Sequence, residues 1–165
     1  MQPAEADKST IEKLYRQHGT QLVLFASALI GERSRAQDLV HQVLKMLERG
    51  SLGHATDAKA YLFTSVRNAV LNDAGVRSRN VPLDPESAWF DPPDRDYAAE
   101  RNLRRAIGAL GDDQREIVVL HIWGELTFLQ IAQVLSISPN TAASRYRYAL
   151  ARLRDAMSAR EETNA

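Results

Sequence analysis

Four prolines, Pro82, Pro85, Pro92 and Pro93, sit within the stretch VPLDPESAWFDPPDRD and divide this chain of 165 residues more firmly than any other feature. Proline lacks a backbone N–H and fixes its own φ, so such a stretch suits neither a helix interior nor a sheet. Its acidic residues add to that, and the composition predicts a linker over 81–96. Trp89 and Phe90 lie inside it, and because two such side chains are rarely left in solvent they are expected to dock on a neighbouring surface. The chain is thereby predicted to be two small domains, 9–80 and 97–160, rather than one.

Both flanks carry helical periodicity. Ser9 with Glu12 has the spacing of a capping box, and Ile11, Leu14, Leu22, Phe25 and Leu29 follow at helical intervals up to Gly31. A second amphipathic pattern from Arg33 places Leu39, Val40, Val43, Leu44 and Leu47 on one side, with Gly50 as its stop. Its opposite face carries Asp38, Gln42, Lys45 and Arg49. A third runs through Ala58, Leu62, Val66, Ala69 and Val70 and fades after Gly75. Beyond the linker, Leu103, Ile107 and Leu110 precede a break at Gly111, and Asp113 with Glu116 suggests a cap for a helix ending near Gly124. The expected fold is all-α, two helical domains joined by a proline-rich acidic linker.

Thr127 and Gln130 have the spacing of another capping box, opening a short helix with Ile131, Ala132, Val134 and Leu135. Ser138 then stands as N-cap and Pro139 as the first residue of a long last helix, to about Ala159. A short helix, a tight turn and a second helix is the spacing of a helix-turn-helix. At 100° per residue, Ala142, Tyr146, Ala149, Leu150, Leu153 and Met157 share the last helix's buried stripe. Thr141, Ser144 and Tyr148 face the other way, Asn140 and Arg147 lie along one edge, and Arg145 and Arg152 along the other. Short polar residues flanked by guanidinium groups suit a helix lying in a DNA groove, where the former approach base edges and the latter reach phosphates.

Composition excludes other classes. With no cysteine there is no disulfide framework, Cys-ligated zinc or thiol nucleophile. Formal charge is zero, so nucleic-acid binding must rest on locally segregated charge, as in the last helix. No apolar run approaches the roughly 18 residues of a membrane span, and the N-terminus has no signal-peptide pattern, so a cytoplasmic protein without membrane insertion is expected. Asp38 and His41 are the best start of a metal site, but His18, His54 and His121 fall on other elements and no phosphate loop or nucleophile motif is present. No catalytic residue, metal or cofactor is assigned.

The stretch GALGDDQREIVVLHIWGELTFLQIAQVLSISPNTAASRYRYALARLRDAM resembles region 4 of the sigma-70 family, which the resemblance implies reads the promoter −35 element. RAQDLVHQVLKMLE resembles the region 2 helix that docks on the clamp helices of the largest subunit of RNA polymerase, and AKAYLFTSVRNAVLND resembles the segment that opens and reads the −10 element. With regions 2 and 4 alone, the chain is similar to the extracytoplasmic-function group. The resemblance implies a sigma factor that binds core RNA polymerase and directs transcription initiation, and an anti-sigma partner. Asp38, Gln42 and Lys45 fall on the polymerase-docking face. Tyr61 and Phe63 fall where the family has aromatics that could stack single-stranded bases, although an aromatic at helical spacing serves a core equally well. Arg67 and Asn68 match the family's Arg-Asn pair. Departures are Gln42 for an acid, Asn72 for aspartate, Ala143 for lysine, and a basic run reduced to Arg77 and Arg79. The alternative is a stand-alone helix-turn-helix regulator with an N-terminal sensing or dimerisation domain.

Overall fold

A computed structural model describes residues 3–49, 57–73 and 97–164, all of whose regular structure is helical. The proposed linker with Trp89 and Phe90, and Gly50, His54, Arg77 and Arg79, lie outside the described residues. The elements are α1 (Pro3–Ile30), α2 (Arg33–Leu47), α3 (Ala58–Leu71), α4 (Tyr97–Ala109), α5 (Asp112–Val118, running into a π-helical turn Val119–Trp123), α6 (Phe128–Leu135) and α7 (Pro139–Asn164).

Several ends follow from local chemistry. Gly31 at φ 90° closes α1, its N–H reaching Ser27 O at 2.7 Å, a left-handed conformation that glycine adopts without a Cβ penalty. Asp57 caps α3 by accepting from Ala60 N. The Thr127 box is complete: its Oγ1 accepts from Gln130 N at 3.1 Å while Gln130 Oε1 accepts from Thr127 N at 2.9 Å. Two backbone donors are satisfied at once, and Thr127→Ala is expected to cost about 1 kcal/mol in chemical denaturation. Ser138 Oγ accepts from Thr141 N at 3.1 Å, and Pro139 opens α7.

The other two expected boxes are corrected. Ser9 lies inside α1, which starts at Pro3, because nothing between them breaks a helix. For α5 the N-cap is Gly111, with no side-chain cap, and the Glu116 carboxylate bonds Arg67 instead. The last helix also runs beyond Ala159, to Asn164.

Helices α1 to α3 pack together, as do α4 to α7, and the two groups pack against each other. One continuous core joins Phe25, Phe63 and Val40 to Ile107, Leu120 and Ile131, with α1 against α5 and its π turn and α3 against α6. At its far end Arg115 is 2% exposed, and its guanidinium donates to Gly108 O at 2.8 Å and Leu110 O at 2.9 Å, where α4 runs out of N–H partners. Burial pulls its pKa down, and Asp112, accepting at 3.2 Å, opposes that shift.

The π turn is fixed by Gly124. Its N–H reaches Val119 O at 2.9 Å, and a Cβ there would stand 2.5 Å from Leu120 O, so only glycine fits. The chain then reverses through Glu125 at φ 56° into α6.

Candidate nucleic-acid interface

Helix α7 is held by its buried side. Ala142, Ala149 and Leu153 are buried, while Leu150 and Met157 are half-buried. Tyr146 joins a ring cluster with His121 and Phe128, the His121 ring stacked on Phe128 at 4.5 Å and edge-on to Tyr146 at 4.5 Å. The His121 ring is oriented by Nδ1 donating to Leu126 O at 2.9 Å. The cluster ties the π turn, α6 and α7 together, so the angle between the two helices of the helix-turn-helix is set by aromatic contacts as well as by the turn, where Ser136 adopts φ 56°.

That leaves Asn140, Thr141, Ser144, Arg147, Tyr148 and Arg152 exposed, with Arg145 half-buried. Ser138 Oγ donates to Thr141 Oγ1 at 2.8 Å, and Arg147 donates to Ser144 Oγ at 3.3 Å, so the N-terminal half presents a short polar surface beside a guanidinium. Tyr148, 66% exposed, extends it. Arg152 lies further along and donates to Gln114 Oε1 at 3.0 Å, which turns it toward α5.

On α2, Leu39, Val40, Val43 and Leu44 are buried, and Asp38, Gln42 and Lys45 are exposed on the opposite side, with Met46 beside them at 72%. His41 is also exposed, its Nε2 3.4 Å from the Tyr15 hydroxyl, and among the described residues no three His, Asp or Glu side chains gather as a metal site.

Helix α3 departs most from expectation. Phe63 is completely buried, its ring 5.6 Å from Phe25, so it is a core residue and leaves the set of base-stacking side chains. Spacing carried the signal, because Phe63, Val66 and Val70 fall at i, i+3 and i+7 on one stripe. Tyr61 is half-buried and Asn68 exposed. Arg67 is half-buried, with Nε on Glu116 Oε1 and Nη2 3.5 Å from Oε2, a partner 49 residues away that no local pattern announces.

With this geometry in hand, similarity to known proteins is specific. Residues 100–153 match the family model for sigma-70, region 4, which spans α4 through most of α7. The ECF RNA polymerase sigma factor SigL of Mycobacterium tuberculosis is 28% identical over 160 residues, covering 92% of this chain and 90% of that protein. The ECF RNA polymerase sigma factor RpoE of Cereibacter sphaeroides is 31% identical over 131 residues, covering 74% and 70%. The chain belongs to the ECF RNA polymerase sigma factors. In structure it is similar to the sigma factor RpoE of Bartonella quintana, solved with the anti-sigma factor NepR, at a TM-score of 0.66 and 21% identity over 89% of this chain and 96% of that one. That likeness shows a shared all-α fold. Membership favours a sigma factor over a stand-alone helix-turn-helix regulator, and the matched region 4 places the exposed face of α7 inside the family's DNA-binding module.

Proposed function

We propose that this sigma factor docks on core RNA polymerase through the Asp38, Gln42 and Lys45 face of α2 and reads the −35 element as duplex through α7. The observation that carries the reading is the polar face of α7, exposed from Asn140 to Arg152 apart from the half-buried Arg145, while the opposite stripe is locked into the core. Asn140, Thr141 and Ser144 are short enough to meet base edges, and Arg145, Arg147 and Arg152 flank them as phosphate ligands, with Tyr148 continuing the face. Tyr61, Arg67 and Asn68 on α3 are assigned to the −10 strand, Tyr61 by stacking and the other two by hydrogen bonds and charge. The domain limits 9–80 and 97–160, joined by 81–96, follow from the same division of labour. No helix among the described residues is long and apolar enough to cross a membrane, and the cytoplasm, where the polymerase works, is the expected compartment.

The residues on these faces are grips and readers, and no chemistry is assigned to the chain. An anti-sigma factor, the class of partner seen with the Bartonella quintana protein, would act by covering the α2 and α7 faces.

Run-off transcription with purified core enzyme and a promoter library tests this. Ser144→Ala is expected to relax preference at a −35 position by roughly 1–3 kcal/mol. Arg147→Ala is expected to weaken all promoters together and to lower the salt slope by about one if the residue grips phosphate. Wild-type transcription by both variants across salt concentrations would reduce the polar face to a solvated surface.

A further inference from the structure

Ser138 stands one residue before α7 and outside the set assigned to DNA, yet it reaches that set through a pair of hydroxyls. Its Oγ accepts from Thr141 N at 3.1 Å, which is the cap, and donates to Thr141 Oγ1 at 2.8 Å. In a capping box the third helical residue is Glu or Gln and reaches back to the N–H of the cap, as Gln130 does for Thr127. In α7 the third residue is Thr141, and the two side chains meet each other instead.

A hydroxyl has one proton and two lone pairs. Ser138 directs its only proton at Thr141 Oγ1, so the proton of Thr141 is left for an outside acceptor. Cooperativity strengthens this direction. The Ser138 oxygen accepts from a backbone N–H and is a better donor for it, and the Thr141 oxygen, accepting from Ser138, becomes in turn a better donor and a poorer acceptor. Thr141 is exposed, and its Oγ1 has no other partner among the described residues. Ser144, one turn on, repeats the pattern: its Oγ accepts from Arg147 at 3.3 Å, which leaves its own proton to be donated. In the major groove guanine offers N7 and O6, adenine N7 and thymine O4 as acceptors, whereas cytosine offers only its N4 donor.

We propose that Ser138 is a positioning residue for −35 recognition: by giving its proton to Thr141 it makes the Thr141 hydroxyl a donor, and so sets a preference for an acceptor-bearing base over cytosine at the position Thr141 faces. The proposal rests on the reading of α7 as the −35 helix. Ser138 acts through Thr141 and needs no contact with DNA of its own.

Run-off transcription with core enzyme, on −35 elements carrying each of the four bases at every position, tests it beside urea unfolding of each variant. Thr141→Val keeps the branched shape without the hydroxyl and is expected to relax one position, where the wild type disfavours cytosine about tenfold. Ser138→Asp keeps an oxygen to cap Thr141 N but has no proton to give, so its carboxylate takes the Thr141 proton and leaves lone pairs toward the groove. At that same position it is expected to reverse the order and favour cytosine, while its added charge weakens all promoters together. Ser138→Gly, a good N-cap with no hydroxyl, is expected to level the bases there and to unfold near the wild-type midpoint. A cap with a structural role alone would weaken every promoter alike and move no base preference.

If Thr141→Val relaxes a position but both Ser138 variants keep the wild-type order there, Ser138 does not set the preference, and the reading of α7 stands. A wild-type preference for cytosine at the relaxed position would overturn the proposal in the same way. If Thr141→Val relaxes no position, the proposal falls with its reader, and the reading of α7 is then decided by Ser144→Ala and Arg147→Ala: a relaxed −35 position or a uniform loss keeps it, and wild-type transcription by both removes it.

Discussion

Replacing Arg115 with alanine is expected to cost about 3 kcal/mol of folding stability, since charged hydrogen bonds are lost and buried carbonyls are left without a donor. From the first turns of α5 the residue satisfies the buried carbonyls at the end of α4 that have no helical N–H partner, and water cannot take over its role at 2% exposure. Urea denaturation followed by circular dichroism measures the loss. Arg115→Lys is expected to recover only part of it, because one ammonium cannot reproduce a planar fork that reaches Gly108, Leu110 and Asp112 together. A variant within about 0.5 kcal/mol of wild type, the range of ordinary surface changes, would show that the guanidinium is dispensable there.

The second large effect falls on binding. Asp38→Arg reverses a charge on the exposed face of α2 and is expected to weaken association with core polymerase about a hundredfold, near 3 kcal/mol, as a like charge meets a surface suited to an acid. Because Leu39, Val40 and Val43 hold the helix from the other side, helicity and unfolding midpoint are expected to stay unchanged. Competition against the wild-type chain for core enzyme reads the difference, and normal binding by the variant would remove this face from the docking surface.

The legible parts of the sequence were those where the cause is local. Thr127 with Gln130, and Ser138 before Pro139, give caps whose donors and acceptors lie within three residues, and the structure has both. The buried stripe of α7 follows from the helical period, down to Tyr146, whose angle assigned it to the core. The outward set of α7 is the remainder of the same calculation, with Arg145 only half-exposed.

Misread features have non-local causes. Asp113 and Glu116 have the spacing of a cap, but a carboxylate placed beside a guanidinium from another element gains more from that charge than from a backbone N–H, and Arg67 draws Glu116 away. The same contact joins the two helical groups, so their shared core could not be read from either alone. Arg115 belongs with these, since nothing in the sequence around it distinguishes a buried arginine from a solvated one. Phe63 is different, because its signal was local: its i, i+3, i+7 relation to Val66 and Val70 gave the core answer, and only the family's preference for aromatics at that place pointed to DNA.

The π-helical turn at Val119–Trp123 stores its information in length. An α-helix advances 100° for each residue, so the surplus residue accommodated there rotates all that follows by that angle relative to an uninterrupted helix. His121, inside the turn, meets Phe128 and Tyr146, and Gly124 follows directly after it against Leu120 O. Conservative exchanges of side chains in this turn leave the offset intact, whereas deletion of any single residue within it would turn the helix-turn-helix away from its support. The segment therefore behaves as a spacer in the genetic sense, tolerant of spelling and intolerant of count.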